Sequence, residues 1–313
     1  MSIFSAVIQG VVQGLTEFLP VSSSGHLLIS QHILGVHEDN LFFNVMLHIG
    51  TLLAVLFVYY KSIFKLVKAF FEMIGDIFKK RFNFKDLNHE KNMVLMLIIG
   101  LLPLFFLFIP VPGSGTNIKG LAPELASEKN LLLVGIALVA TSIMLKLGIN
   151  KRKSYKLNTV FDAEGNLWDG KKDLNVMDAL SIGFTQFVAA VFPGISRSGS
   201  TLSTGLLRDV NKETALDYSF ILGVPAIIAA AAVELKDALK VGGLSNIDII
   251  PVVVGMSVSA VVGFLSIKLF KWLLKTDKMM VFVIYTFVVG IVSVIVAIIE
   301  NIYGFNLFTG SPL

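Results

Sequence analysis

Arg197 sits in an apolar stretch, IGFTQFVAAVFPGISRSGST (182–201), with Ser196, Ser198, Gly199 and Thr201 around it. An arginine in such a setting is expensive unless it is paired or hydrated. The loop PGISRSGST offers a helix N-terminus, backbone N–H groups, hydroxyls and a guanidinium fork that matches phosphate oxygens, the chemistry of an anion site. A structural reading stands beside it, in which Arg197 is capped by carbonyls or paired to Glu17. Glu17 lies in a second apolar stretch, QGVVQGLTEFLPVSSSGHLL (9–28). It fits three roles: general base, ligand of a divalent cation, or counter-ion of Arg197. Gln13 stands one helical turn earlier on the same face and offers an amide oxygen to the same cation. Hard cations such as Mg²⁺ and Ca²⁺ take oxygen ligands and often bind through one or two carboxylates plus substrate phosphates, so metal is expected to bind with substrate. His26 follows Ser23 at helical spacing. The two read either as a nucleophile with its base, or His26 is itself phosphorylated. His32, His37, His48 and His89 read as hydrogen-bonded structure. Phosphate, cation, nucleophile and membrane burial together suggest phosphoryl transfer on a lipid, which is catalysed mainly by positioning and charge stabilisation.

The elements that position these residues are broken helices. Pro20 stops the first, because proline lacks an N–H and clashes with the preceding turn. Ser22, Ser23 and Ser24 are residue types that cap a new helix start, and Gly25 allows close backbone approach. A short helix over 22–34, ending near Gly35, is expected. The second stretch echoes the first: Gly10, Gln13 and Pro20 recur as Gly183, Gln186 and Pro193 at one constant offset, and with a one-residue shift SSSG (22–25) lies over SRSG (196–199). Ala190 stands where Glu17 would be. Such internal similarity indicates a duplication whose copies have diverged into an acidic and a basic one. Neither half of 1–34 spans a bilayer well at ~20 residues per crossing. A re-entrant hairpin, buried in protein or lining a cavity, is expected there, rather than one kinked spanning helix.

The rest of the chain supports this frame. It has 313 residues, 55% hydrophobic and 15% charged, with mean hydropathy +0.78, which is the composition of an integral membrane protein. No cysteine is present, so disulfides and thiolate metal sites are excluded. The net charge of +4 lies in loops and reads as membrane topology, with no nucleic-acid partner. The N-terminus reads as carrying no cleaved signal peptide, since it lacks a basic region and Gln9, Gln13 and Glu17 interrupt the apolar run. Six spans are expected at 41–60, 91–111, 130–149, 213–235, 247–272 and 278–300. Residues 61–90 read as an amphipathic helix in the inner interface. Residues 151–175 read as a polar loop with a turn at Asp162, Glu164, Gly165 and Asn166. Lysines and arginines concentrate in 61–90, 150–175 and 268–278, which the positive-inside rule places in the cytoplasm. The first hairpin then dips in from the outer face and the second, 176–208, from the inner face. The expectation is an all-α integral membrane protein: six transmembrane helices plus two re-entrant broken-helix hairpins in an inverted-topology repeat. Its halves are 1–150 and 151–313, and their broken helices meet near the midplane.

QGLTEFLPVSSSGH (13–26) and PGISRSGST (193–201) resemble the two signature motifs of the undecaprenyl-diphosphate phosphatases, the bacitracin-resistance (BacA/UppP) family. The resemblance runs through most of the chain and implies a membrane phosphatase that converts undecaprenyl diphosphate to undecaprenyl phosphate, the lipid carrier for cell-wall polymers. It implies a divalent-cation requirement, a bacterial plasma-membrane location and a site open to the extracytoplasmic face. Bacitracin sequesters the substrate, so the activity confers resistance. Carried over, Glu17, Ser23, His26 and Arg197 are catalytic, and Ser22, Ser196, Ser198, Thr201 and Gln186 bind substrate. Glu17 and Gln13 hold the metal, Mg²⁺ or Ca²⁺. Gln13 replaces the first glutamate of the motif, which puts any two-carboxylate metal site in doubt. The other class in view is a transporter or flippase of a polyprenyl phosphate, which shares the inverted-repeat architecture but leaves its substrate unchanged. Membrane lipids are the expected surroundings, and the sequence leaves room for a homo-oligomer.

Overall fold

A computed structural model describes residues 2–35, 41–84, 87–113, 115–120, 131–157, 169–240 and 248–312. The described chain is helical: α1 Ile3–Phe18, α2 Ser23–Leu34, α3 Leu41–Val58, α4 Tyr60–Phe78, α5 His89–Leu101, a 3₁₀ stretch Leu102–Phe108, α6 Leu131–Leu157, α7 Val176–Val191, α8 Arg197–Leu207, α9 Lys212–Lys240, α10 Ile249–Lys275 and α11 Met280–Tyr303. Five segments are long and apolar enough to cross a membrane: 89–108, 131–151, 212–233, 249–275 and 280–303. A sixth exists if the bent pair α3–α4 counts as one. The chain is a multi-pass membrane protein.

Both helix breaks have the same cause. Leu19 and Phe192 each precede a proline and are extended (φ −66°, ψ 144° and φ −105°, ψ 104°), the conformation a following pyrrolidine ring enforces. Each break is followed by a serine N-cap whose hydroxyl accepts from the glycine N–H three residues on. Ser22 caps α2 through Gly25 at 3.2 Å, and Ser196 caps α8 through Gly199 at 3.0 Å. Pro103 follows the end of α5, where Leu102 stays helical (φ −54°, ψ −42°), and that span continues as 3₁₀ turns.

The C-terminal boundary of α6 departs furthest from expectation. The helix α6 runs on to Leu157, so the first residues of the segment read as a polar loop are helical, while Asp162, Glu164, Gly165 and Asn166 lie outside the described residues. The amphipathic helix expected in 61–90 is α4, which leaves α3 at a bend of 84°. It buries Ala69 and Met73 against Val94 of α5 and leaves Phe64, Phe71 and Phe78 exposed along one side.

Packing is set by glycines at helix crossings, where the missing side chain lets backbones approach. A Cβ on Gly10 of α1 would meet the Gly255 oxygen of α10 at 2.7 Å, and one on Gly183 of α7 would strike the backbone of Gly100 on α5. Helices α6 and α11 cross at a reciprocal pair: Gly135 would meet the Gly290 oxygen at 2.8 Å and Gly290 the Gly135 oxygen at 2.9 Å. Beneath the helix breaks an aromatic chain fills the core, Phe18–Phe220–Phe270–Phe282, with centroids 5.4, 5.8 and 5.4 Å apart. Gly135→Val should therefore destabilise by about 2 kcal/mol or more, because the clash is with backbone that cannot rotate away. Gly75→Ala, on the face of α4 where nothing lies within 4 Å, should be neutral or slightly stabilising. Thermal unfolding of both in detergent checks this, and equal midpoints would overturn the packing argument.

Candidate active site

The two breaks lie against each other. A Cβ on Gly25 would sit 3.2 Å from the Gly194 Cα, and one on Gly199 would sit 3.2 Å from the Pro20 oxygen. Ser198 Oγ donates to the Leu19 carbonyl at 3.1 Å, and the Gly194 N–H donates to Ser24 Oγ at 3.4 Å. Gly194 holds φ +93°, the left-handed region, and its turn is stitched to α6 by Thr141, whose hydroxyl accepts from the Ser196 N–H at 3.0 Å. The N-termini of α2 and α8 are thereby brought to one place, with first-turn N–H groups that a helix leaves without intrahelical acceptors.

The residue directly after each N-cap points a different chemistry at the same carboxylate. Ser23 Oγ donates to Glu17 Oε2 at 2.7 Å, and Arg197 Nη2 donates to Glu17 Oε1 at 2.6 Å. Glu17 is 7% exposed. The counter-ion role weighed for Glu17 is thus realised in the folded chain, and Arg197 is paired. Arg197 Nη1 reaches the Ser219 carbonyl of α9 at 3.5 Å, and its guanidinium occupies the space where a side chain on Gly223 would be.

Gln13 is fully buried and its Nε2 donates to Glu17 Oε2 at 3.0 Å and to His48 Nδ1 at 2.7 Å. Two acceptors fix the orientation of the amide, so Oε1 faces the other way, buried and without a partner among the described residues. That orphaned oxygen beside a carboxylate fits a hard cation. Among the described residues no group of three or more histidine, aspartate and glutamate side chains gathers as a metal cage. A cation at this place would need ligands from outside these side chains to complete its shell.

His26 is close in sequence but turned elsewhere. Its Nδ1 lies 2.8 Å from the Ser22 carbonyl and its Nε2 2.9 Å from the Tyr285 hydroxyl of α11. Of the two bases open to Ser23, the structure brings Glu17 into contact. Ser196, Ser198 and Thr201 spend their hydroxyls inside the protein: Ser196 as cap, Ser198 on Leu19, and Thr201 on the Arg197 carbonyl at 2.8 Å and Ser219 Oγ at 2.5 Å. Ser22 likewise spends its hydroxyl as the cap of α2. Gln186 is 1% exposed, with neither amide atom partnered among the described residues.

Sequence reasoning missed His48, Ser219, Gly223 and Tyr285. His48, read as structure, lies 3.7 Å from Glu17 Oε2. The other described histidines are structural as expected: His32 pairs with Glu300 at 2.9 Å and His89 with Asp173 at 2.7 Å, while His37 lies outside the described residues. Ser219 and Gly223 stand one turn apart in an ordinary-looking span, and only their shared spacing could have marked a face.

Comparison with known proteins places this arrangement in a family. The undecaprenyl-diphosphatase of Alkaliphilus metalliredigens is 36% identical over 303 residues, 96% of this chain and all of the relative. That of Methanosphaera stadtmanae is 35% identical over 305 residues, 96% of this chain and 99% of the relative. That of Halothermothrix orenii is 32% identical over 297 residues, 95% of this chain and 99% of the relative. The family model described as bacitracin resistance protein BacA matches residues 6–292, which takes in both helix breaks and every side chain of the site, and the chain belongs to that family.

Proposed function

We propose that this chain is an undecaprenyl-diphosphatase, which hydrolyses undecaprenyl diphosphate to undecaprenyl phosphate and inorganic phosphate and so recycles the lipid carrier of cell-wall synthesis. The observation that carries the mechanism is the single carboxylate shared by a serine and an arginine. As Ser23 Oγ attacks the terminal phosphorus in line, its proton passes to Glu17 Oε2, already in hydrogen-bond contact. Phosphate oxygens compete with Glu17 for the Arg197 fork, and the first-turn amides of α2 and α8 face the charge that develops. Undecaprenyl phosphate leaves, and water then releases phosphate from Ser23.

Charge balance supports a cation. Glu17 and Arg197 cancel, so a diphosphate carrying about two to three negative charges brings more charge into the site than Arg197 alone offsets. Gln13 Oε1 and Glu17 would hold Mg²⁺ or Ca²⁺, which when bound supplies the missing positive charge to the phosphates. Because Ser196, Ser198 and Thr201 are bonded inward, their part in substrate binding is to hold the N-terminus of α8 in place.

We assign the finer architecture on the glycine crossings. Gly10 and Gly183 are equivalent in the two copies, and they meet Gly255 and Gly100, which stand at the same separation as the reciprocal pair Gly290 and Gly135. This supports two inverted repeats, 1–150 and 151–313, each one hairpin and three crossings, with α3 counted as a crossing and α4 lying in the inner interface. The lysine-rich segments then lie in the cytoplasm, and the first hairpin opens outward, from a bacterial plasma membrane.

Phosphate release from undecaprenyl diphosphate by purified protein tests the reading. EDTA should stop it and Mg²⁺ or Ca²⁺ restore it. Glu17→Gln and Arg197→Ala should each lower turnover at least about a hundredfold with expression intact. Unchanged substrate under every cation would point to lipid transport. An acid-stable phosphoserine at Ser23 should be trapped on brief reaction, and an acid-labile adduct would instead make His26 the nucleophile. Gly223→Ala should lower turnover at least about tenfold without touching the substrate, since its methyl takes the place of the guanidinium.

A further inference from the structure

We infer that Tyr285 is a positioning residue that fixes His26 in one tautomer and turns its basic nitrogen away from Ser23. A carbonyl can only accept, so the 2.8 Å contact from His26 Nδ1 to the Ser22 oxygen puts the ring hydrogen on Nδ1. In the neutral ring Nε2 then carries the lone pair, and the Tyr285 hydroxyl donates to it at 2.9 Å. The two rings also lie nearly parallel, 5.6 Å apart at 15°, a second contact that holds the partner in reach. The Ser22 carbonyl is itself aimed by an unusual backbone: Ser22 has φ +75°, a left-handed value that a serine adopts only when its surroundings enforce it.

The consequence concerns where a proton can rest. The titratable groups around this ring are Tyr285 from α11 and, beyond Ser23, Glu17 of α1 bonded to Arg197 of α8. Glu17 already serves Ser23. When His26 takes up one proton at Nε2, the Tyr285 hydroxyl rotates from donor to acceptor and both hydrogen bonds to the ring survive. The pair thus keeps both ring nitrogens bonded in either protonation state, and it needs the phenol oxygen and not merely an aromatic ring. Tyr285→Phe keeps the stacking and removes that oxygen, leaving Nε2 without a partner and freeing the ring to change tautomer.

The kinetic part of this inference rests on the phosphatase reading, and the spectroscopic part does not. In the full-length protein labelled with nitrogen-15 in its histidines, the signals lost in His26→Gln identify His26. They should show a protonated Nδ1 and an unprotonated Nε2, and Tyr285→Phe should move them toward the other tautomer. Tyr285→Phe should lower kcat about tenfold and leave KM within about twofold, and it should have no further effect in a His26→Gln background. A protonated Nε2 in the unaltered neutral ring, a spectrum indifferent to Tyr285→Phe, an unchanged kcat, or an equal loss in the His26→Gln background would each overturn the assignment. If the unaltered protein releases no phosphate, the phosphatase reading falls, and the spectrum still decides the role of Tyr285.

Discussion

The contact on which the rest depends is the ion pair between Arg197 and Glu17, 180 residues apart in the chain and joined at 2.6 Å. In an apolar bundle neither charge is tolerable alone. Removing one partner of a buried pair leaves the other uncompensated, at a cost of about 3–5 kcal/mol. The pair can form only if two helices end at the same depth with their next helices starting side by side. Pro20 and Pro193 supply the ends, and Ser22 and Ser196 supply the new starts. Gly223 leaves the space the guanidinium fills, and the aromatic chain from Phe18 to Phe282 packs beneath. A stability argument alone would favour replacing this pair with packed apolar side chains. Its retention is understandable if an anion is meant to displace one partner.

Under the proposed mechanism, that displacement sets the order of events at the site. At the site the charges of Glu17 and Arg197 cancel, with both Glu17 oxygens committed. An incoming phosphate that draws Arg197 away from Oε1 leaves the carboxylate more basic, at the moment when Ser23 must lose its proton to Oε2. Binding and nucleophile activation are then coupled through one carboxylate, with no moving domain needed. The orphaned Gln13 oxygen beside it gives the same event a place for the positive charge that the phosphates bring.

The helix breaks were legible because proline and serine runs act locally, whatever the rest of the chain does. The ion pair was legible because charges in apolar segments must find each other. The use of the hydroxyls was not legible. Ser198 and Thr201 have the composition of an anion loop, yet their oxygens face Leu19 and Ser219 across helix contacts that no local pattern encodes. His48, Ser219, Gly223 and Tyr285 escaped for the same reason: each stands in a span of unremarkable composition and acquires its role from what packs opposite. The far end of α6 escaped because its last turns are as polar as the loop they precede.

The duplication explains why the two halves cannot be exchanged. Superposing the caps, Ser22 on Ser196 and Gly25 on Gly199, puts Ser23 on Arg197: the first helical residue of one copy carries a hydroxyl and of the other a guanidinium. Both point at the same carboxylate, one at each oxygen. A chain with two acidic copies would bring two carboxylates and no cation to the meeting point, and one with two basic copies would have no base. Only a diverged pair places a hydroxyl, a carboxylate and a guanidinium within one hydrogen-bonded set, at a point where two helix N-termini meet. The two breaks thus share their caps and their glycine crossings and differ in the side chain that each presents to Glu17, and that difference is what gives the meeting point its chemistry.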